Sequence, residues 1–149
     1  MVAYRQLGLG DLDQVVRLEQ EVFPQEAWSP ELLAEELSGP HRYYLGAFEE
    51  GGQLLGYGGI AGVWDADLMT LGVVPAARGQ GLGRALTEQL IEEARQHGCE
   101  RIFLEVRASN RAAHELYRSC GFIELGRVRA YYRHPTEDAL RMGLELVGR

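Results

Sequence analysis

Residues 78–84 (RGQGLGR) form a glycine-rich turn between an apolar run and an amphipathic run. The apolar run predicts a strand and the amphipathic run predicts a helix, so the turn places backbone N–H groups at a helix start, where the helix offers them no acceptor. These N–H groups and the helix dipole favour an anion, and glycine lets the backbone approach a ligand closely. The turn could therefore hold a phosphate, although a helix start without a ligand would show the same local pattern.

The residues of the turn exclude the two most familiar nucleotide-binding motifs. A dinucleotide-binding GxGxxG pattern requires a third glycine at a position where this chain has Arg84 or Leu86. A P-loop requires a lysine, and all 15 basic residues of the chain are arginine. The residues from Arg78 to Gly83 do match a third pattern, Arg/Gln-x-x-Gly-x-Gly/Ala.

Glu105 is a second residue whose type and position could do chemistry. It stands in the strand-like run RIFLEVRA between Leu104 and Val106, where a carboxylate is costly to bury unless something uses it. The residues themselves leave three roles open. Glu105 could share a wet face with Phe103 and Arg107, form an ion pair with Arg107, or act as a general base.

The elements that must position these residues follow from hydrophobic periodicity and from turn signals. The pattern predicts the order βααβββαβαββ, which favours a mixed sheet with helices on both sides. Asp11 and Ser29 are placed to cap the first two helices. Strands are predicted at 2–7, 42–50, 53–65, 66–74, 101–109, 122–133 and 138–147, and helices at 10–23, 29–39, 81–98 and 110–121.

Length and composition narrow the class of protein. A chain of 149 residues predicts a single domain over residues 1–149. Without an apolar run of membrane-spanning length or a signal-peptide pattern, we expect a cytoplasmic protein that does not bind membranes. Cys99, Cys120 and the four histidines lack metal-ligand spacing, so no metal site is expected. The net charge of −7 argues against direct nucleic-acid binding.

The glycine turn resembles the pyrophosphate-binding turn of the GNAT family of N-acetyltransferases, which use acetyl-coenzyme A. The predicted element order matches that family along essentially the whole chain. Within the family, the segments GQGLGRAL, LEVRASN, LYRSCGF, RAYY and EDA are most similar to RimI-type enzymes, which acetylate the N-terminal alanine of a small-subunit ribosomal protein. The resemblance implies an α/β (α+β) GNAT fold, with a mixed, mostly antiparallel seven-stranded sheet.

The resemblance also implies roles for individual residues. Glu105 would be the general base, and Tyr117 would protonate the departing coenzyme A thiolate. From pattern alone Tyr117 reads as a core residue and Asn110 as a helix cap, and both readings are compatible with function. The backbone of residues 71–73 would contact the pantetheine arm. The residues implied in acetyl-coenzyme A binding are Leu71, Gly72, Val73, Arg78, Gly79, Gln80, Gly81, Leu82, Gly83, Arg84 and Asn110.

Trp28, Tyr131 and Tyr132 match family positions near the acceptor. The segment FPQEAWS is similar to the family's FPWS but carries extra residues between Pro24 and Trp28, which leaves the exact acceptor open. Strand alternation predicts that Tyr131 and Tyr132 point to opposite faces, so that at most one contacts the acceptor.

The family and elementary acid–base chemistry together favour a protein N-terminus as the acceptor. An α-amine has a pKa near ~8 and a lysine side chain near ~10.4, so the neutral fraction at neutral pH differs by a few hundredfold. Residues 1–50 contain 10 acidic residues and 3 arginines, which suits either a cationic acceptor or a solvated helix face. Acetylation of lysines or of small-molecule amines, and a non-catalytic acyl-coenzyme A-binding module, remain alternatives.

Overall fold

The computed structural model describes residues 1–147 and contains the predicted order of strands and helices. The single domain expected over residues 1–149 extends two residues beyond this described part. No helix in it is long and apolar enough to cross a membrane. The elements are β1 (Val2–Gln6), α1 (Leu12–Val22), α2 (Pro30–Ser38), β2 (Arg42–Glu49), β3 (Leu54–Gly62), β4 (Asp65–Val73), α3 (Leu82–Gln96), β5 (Arg101–Arg107), α4 (Arg111–Ser119), β6 (Ile123–Tyr132) and β7 (Glu137–Glu145).

The strands form one mixed sheet in the order β1-β2-β3-β4-β5-β7-β6. The described neighbouring pairs are antiparallel except β4 with β5, which is parallel. This parallel pairing is short, because it joins only residues 65–67 of β4 to residues 101–103 of β5. The mixed, mostly antiparallel seven-stranded sheet is confirmed, and it opens between its two central strands.

Helices cover both faces of the sheet, as the element order predicts. On β2, Leu45 and Ala47 contribute to a core beneath α3 and α4, whereas Tyr44 and Phe48 contribute to a core beneath α1 and α2. This is the period-2 alternation of a strand buried on both sides. The clearest predicted helix, α3, buries Leu82, Leu86, Leu90 and Ala94, the four residues of its apolar stripe.

Of the two caps predicted for α1 and α2, the one at Ser29 is confirmed and the one at Asp11 is wrong. Ser29 accepts a hydrogen bond from the backbone N–H of Leu32 at 3.1 Å, as an N-cap should. Asp11 occupies the N-cap position of α1, but its side chain does not cap the helix. It accepts instead from the Gly8 N–H at 2.9 Å and pairs with Arg5 at 2.8 Å, because a short 3-10 turn precedes α1.

Two buried carboxylates connect the first two helices to the sheet. Glu19 of α1 is 1% exposed and accepts from the Tyr57 hydroxyl at 2.5 Å. Glu36 of α2 is 4% exposed and accepts from the Tyr44 hydroxyl at 2.6 Å. The two tyrosine rings stack with centroids 6.2 Å apart. Both carboxylates thus satisfy the rule that a buried polar group needs a partner.

Burial raises the pKa of Glu19, against the opposing effect of its hydrogen bonds from Tyr57 and Trp28. The folded protein therefore binds this proton more tightly than the unfolded chain does. The stability contributed by protonation of Glu19 is fully present below the carboxyl's unfolded-state pKa of about 4.3. This contribution is lost as pH rises through the higher pKa of Glu19 in the folded protein.

We expect the free energy of unfolding of the wild type to fall relative to that of Glu19→Gln as pH rises from about 4 to 7. The amide cannot ionise, and it can still accept from Trp28 and donate to Tyr57. Urea denaturation of both proteins across this range measures the difference. A difference independent of pH would contradict the raised pKa.

Candidate active site

A cavity of about 490 Å³ lies where β4 and β5 diverge. Beyond residues 67 and 103 the two strands no longer pair with each other, so the facing edges leave backbone groups for a ligand to satisfy. The cavity brings together seven of the residues that the sequence predicted for the site: Trp28, Leu71, Glu105, Asn110, Tyr117, Tyr131 and Tyr132.

The other predicted residues, Gly72, Val73 and residues 78–84, do not line this cavity but lie beside it. The Arg78 Nε donates to the Val73 carbonyl at 3.0 Å, which ties the glycine turn to the end of β4. A Cβ added at Gly83 would lie 3.6 Å from Leu116 of α4. The turn therefore sits between the end of β4 and α4, the helix that carries Tyr117.

Backbone conformation requires two of the three glycines of the turn. Gly79 and Gly81 have φ of 80° and 81°, in the left-handed region that glycine alone adopts without strain, and a Cβ at either would meet open space. Gly81 is the N-cap of α3, and the first helical hydrogen bond runs from Ala85 N–H to Gly81 at 3.0 Å. The N–H groups of residues 82–84 therefore lack an acceptor within the helix, which makes the turn a backbone anion site.

The side chain of Arg84 is directed toward other protein groups. It pairs with Glu88 at 3.1 Å and donates to the Ser119 hydroxyl at 2.5 Å, which joins the start of α3 to the end of α4. Any anion contact of Arg84 in this arrangement comes from its backbone N–H.

Glu105 lies on the cavity wall with 19% of its side chain exposed. Its carboxylate pairs with Arg141, the residue directly opposite it on β7. The Arg141 guanidinium also lies over the Phe103 ring, 4.7 Å from the centroid. The predicted alternative of an ion pair with Arg107 is wrong, and the sequence could not identify Arg141 because the pair depends on the β5–β7 register.

Arg107 instead links two segments at the mouth of the cavity. It pairs with Glu26, which precedes α2, and with Glu137 of β7 at 3.2 Å. Its side chain also donates to the Arg133 carbonyl at 2.8 Å and lies 4.6 Å from the centroid of the Tyr132 ring. These contacts fix the β6–β7 hairpin against the connection between α1 and α2.

Tyr117 serves as a core residue and as a cavity residue at once. It is 5% exposed and packs edge-to-face on Phe122, with ring centroids 5.7 Å apart. Burial raises the pKa of its phenol, so the hydroxyl keeps its proton and is available as a hydrogen-bond donor. Asn110 likewise combines two roles. Its side chain caps α4 by accepting from the Ala113 N–H at 3.1 Å, and the residue also lines the cavity.

Tyr131 and Tyr132 both line the cavity, so the expectation that they point to opposite faces is wrong. The register of β6 against β7 shifts between Val128 and Tyr132, and Ala130 has φ of 52°. This irregularity breaks the alternation of side chains. The Tyr132 hydroxyl donates to the Glu105 carbonyl at 3.0 Å, which attaches the hairpin to β5.

The connection between α1 and α2 supplies the opposite wall. Phe23 packs against β4, where a Cβ on Gly72 would lie 3.0 Å from its ring, so the absence of a side chain at Gly72 makes room for Phe23. Trp28 also lines the cavity, and its backbone N–H donates to Glu19 at 2.9 Å. Glu19 and Phe23 were missed from the sequence because helical periodicity assigns both to the ordinary packing of α1.

The arrangement places a carboxylate and a phenol on one cavity beside a backbone anion site. Such groups can accept a proton, donate a proton and hold a phosphorylated ligand. No cluster of three or more potential metal ligands occurs within the described residues.

The family model described as Acetyltransferase (GNAT) family matches residues 12–122. The N-alpha-acetyltransferase RimI of Mycobacterium tuberculosis is 39% identical over 91% of this chain and 87% of its own length. The ribosomal protein bS18-alanine N-acetyltransferase of Escherichia coli is 38% identical over 91% of this chain and 92% of its own length.

Solved structures are also similar to this chain along nearly its whole length. The crystal structure of the ribosomal-protein-S18-alanine N-acetyltransferase from Escherichia coli has a TM-score of 0.90 and 34% identity, and the match covers 98% of this chain and 94% of that one. Arabidopsis thaliana NAA60 in complex with acetyl-CoA also has a TM-score of 0.90, over 99% of this chain and 100% of that one, and at 19% identity it shares the fold. The chain belongs to the acetyltransferase (GNAT) family.

Proposed function

We propose that this chain transfers the acetyl group of acetyl-coenzyme A to the N-terminal α-amine of a protein, namely the N-terminal alanine of ribosomal protein bS18. The observation that carries the proposal is the cavity between β4 and β5, where a carboxylate and a phenol lie together beside the glycine turn. The names of the relatives that align over nearly their whole length support the acceptor. Acceptor and donor both fit the cytoplasmic location expected from the sequence.

Acetyl-coenzyme A would bind along the open edge of β4 and the start of α3. Backbone groups of Leu71, Gly72 and Val73 lie on a stretch of β4 that β5 leaves unpaired, which suits the amides of the pantetheine arm. The N–H groups of residues 79–84 suit the pyrophosphate. Asn110, at the cavity wall, would also contact coenzyme A.

The reaction needs a neutral amine, and Glu105 is the proposed general base that accepts the proton of the α-ammonium. The amine nitrogen then attacks the thioester carbonyl carbon, and a C–N bond forms. As the adduct collapses, the C–S bond breaks and the departing thiolate takes its proton from Tyr117, whose phenol is protonated at neutral pH as a phenol ordinarily is. The nitrogen, now part of an amide, releases its second proton, which returns Tyr117 to the protonated phenol. Arg141 holds the Glu105 carboxylate on the cavity wall.

Trp28, Tyr131 and Tyr132 would surround the acceptor's first residues. All three line the cavity, and they come from the two segments that Arg107 joins at its mouth. An α-amine is the easier acceptor for a single carboxylate base, since its pKa of about 8 leaves far more neutral amine than a lysine side chain does.

Two matched peptides test the choice of amine. One begins with a free alanine and contains no lysine, whereas the other has an acetylated N-terminus and one lysine in the same sequence. We expect acetylation of the first to exceed that of the second by about two orders of magnitude at neutral pH. Mass spectrometry of the products with acetyl-coenzyme A measures both rates. A faster reaction of the lysine peptide would identify the enzyme as a lysine or small-amine acetyltransferase.

Glu105→Gln tests the base. We expect its turnover to fall by ~10²–10⁴-fold while acetyl-coenzyme A binding, measured by calorimetry, changes little. Glu145→Gln is the matched control, since Glu145 forms the cross-strand pair with Arg101 on the same two strands but does not line the cavity.

Full activity of Glu105→Gln would remove Glu105 from the mechanism. Wild-type protein that binds acetyl-coenzyme A but acetylates no amine would support the non-catalytic binding module instead.

A further inference from the structure

One buried side chain bridges the two ends of the connection between α1 and α2, residues 23–29. Glu19, in the last turn of α1, reaches across the connection to the backbone N–H of Trp28 at 2.9 Å. Ser29 caps α2 immediately afterwards. The bond therefore fixes the far end of a segment whose Phe23 and Trp28 form one wall of the cavity.

Glu19 also connects this wall to the centre of the sheet. Its second oxygen accepts from the hydroxyl of Tyr57, a residue of β3 that is fully buried. Tyr57 pairs across the sheet with Gly72 of β4. The chain of contacts runs from Trp28 through Glu19 and Tyr57 to the strand proposed to bind the donor.

The contacts of Glu19 distinguish positioning from proton transfer. Each carboxylate oxygen already accepts a hydrogen bond from the protein, one from Tyr57 and one from Trp28. Glu19 is 1% exposed, although it forms part of the cavity wall. A carboxylate with a protein donor on each oxygen and almost no exposure orients its partners.

The segment has a second attachment, the pair between Glu26 and Arg107. Glu26 is 37% exposed in that pair, and exposed ion pairs contribute little because solvent screens them. A buried hydrogen bond to a carboxylate is stronger, and loss of the acceptor leaves its donors unsatisfied. Glu19 is therefore the attachment on which the position of Trp28 depends.

We propose that Glu19 is a positioning residue for the acceptor, which holds Trp28 on the cavity wall and so determines how tightly the acceptor's first residues bind. The inference rests on the proposed function for its effect on catalysis. It makes a separate prediction for Trp28 itself, which holds whether or not the protein acetylates an N-terminus.

Glu36 provides a matched control. Like Glu19 it is a buried helical glutamate that accepts from a buried tyrosine, Tyr44, and it pairs in addition with Arg42 at 2.8 Å. It does not line the cavity and has no contact with residues 23–29 among its described hydrogen bonds. Glu36→Ala removes a comparable buried contact away from the acceptor wall.

Steady-state kinetics with an alanine-initiated peptide give the first readout. We expect Glu19→Ala to raise the KM for the peptide about tenfold or more, while the KM for acetyl-coenzyme A changes less than about twofold. Glu19→Gln should stay close to wild type, since the amide can accept from Trp28 and donate to Tyr57. Glu36→Ala should leave the peptide KM unchanged.

Tryptophan fluorescence gives a readout that does not depend on activity. The chain has two tryptophans, and Trp64 is 78% exposed, so Trp64→Phe leaves Trp28 as the only reporter. In that background we expect acrylamide to quench Trp28 more strongly in Glu19→Ala than in wild type, Glu19→Gln or Glu36→Ala. Should Glu19→Ala not fold, Glu19→Leu combined with Tyr57→Phe replaces the buried polar pair with apolar groups and still removes the acceptor of the Trp28 N–H.

Several results would overturn the inference: unchanged quenching of Trp28 without Glu19, an effect of Glu36→Ala as large as that of Glu19→Ala, or a Glu19→Gln variant as impaired as Glu19→Ala. Failure of the wild type to acetylate any N-terminal amine would overturn the proposed function instead. The quenching comparison would then still decide whether Glu19 positions Trp28.

Discussion

The short parallel contact between β4 and β5 is the constraint on which the rest of the site depends. The two strands share only the pairing of residues 65–67 with residues 101–103. Beyond it, β4 stays paired with β3 as far as Val73, and β5 stays paired with β7 as far as Arg107. Each strand therefore keeps one ladder and exposes the hydrogen-bonding groups of its other edge. Because unpaired backbone groups away from water are costly, this opening suits a ligand that carries amides of its own.

The surrounding elements use the opening from different sides. The glycine turn follows the end of β4 after a short 3-10 turn, Pro75–Ala77, and α4 follows the end of β5. The two diverging strands therefore position both the proposed anion site and Tyr117. The connection between α1 and α2 and the β6–β7 hairpin line the cavity on the side proposed to bind the acceptor. Arg107 contacts both segments at the mouth of the cavity, and Glu19 holds the connection between α1 and α2 from the core.

The sequence could predict the features that depend on residues close to one another along the chain. The helix start at the glycine turn, the stripe of α3 and the caps at Ser29 and Asn110 depend on residues close along the chain, and the structure has them as predicted. The cap at Asp11 failed for a local reason too, because a 3-10 turn diverted its side chain.

What the sequence could not predict depends on contacts distant along the chain. The partner of Glu105 is Arg141 because of the β5–β7 register, and Tyr131 joins Tyr132 in the cavity because β6 shifts its register. Glu19 looks like one more residue of an amphipathic helix until Trp28 and Tyr57 are found beside it. Seven of the residues that the family resemblance selected share the cavity, but the resemblance gave no information on these supporting contacts.

A crystal structure of the protein with acetyl-coenzyme A would show whether the opening between β4 and β5 holds the donor. We expect the pantetheine arm between residues 71–73 of β4 and the facing edge of β5, with the pyrophosphate on the N–H groups of residues 79–84 and the thioester between Glu105 and Tyr117. A cofactor bound elsewhere, for example in the cavity of about 220 Å³ beside His41 and His97, with no ligand between β4 and β5, would contradict it.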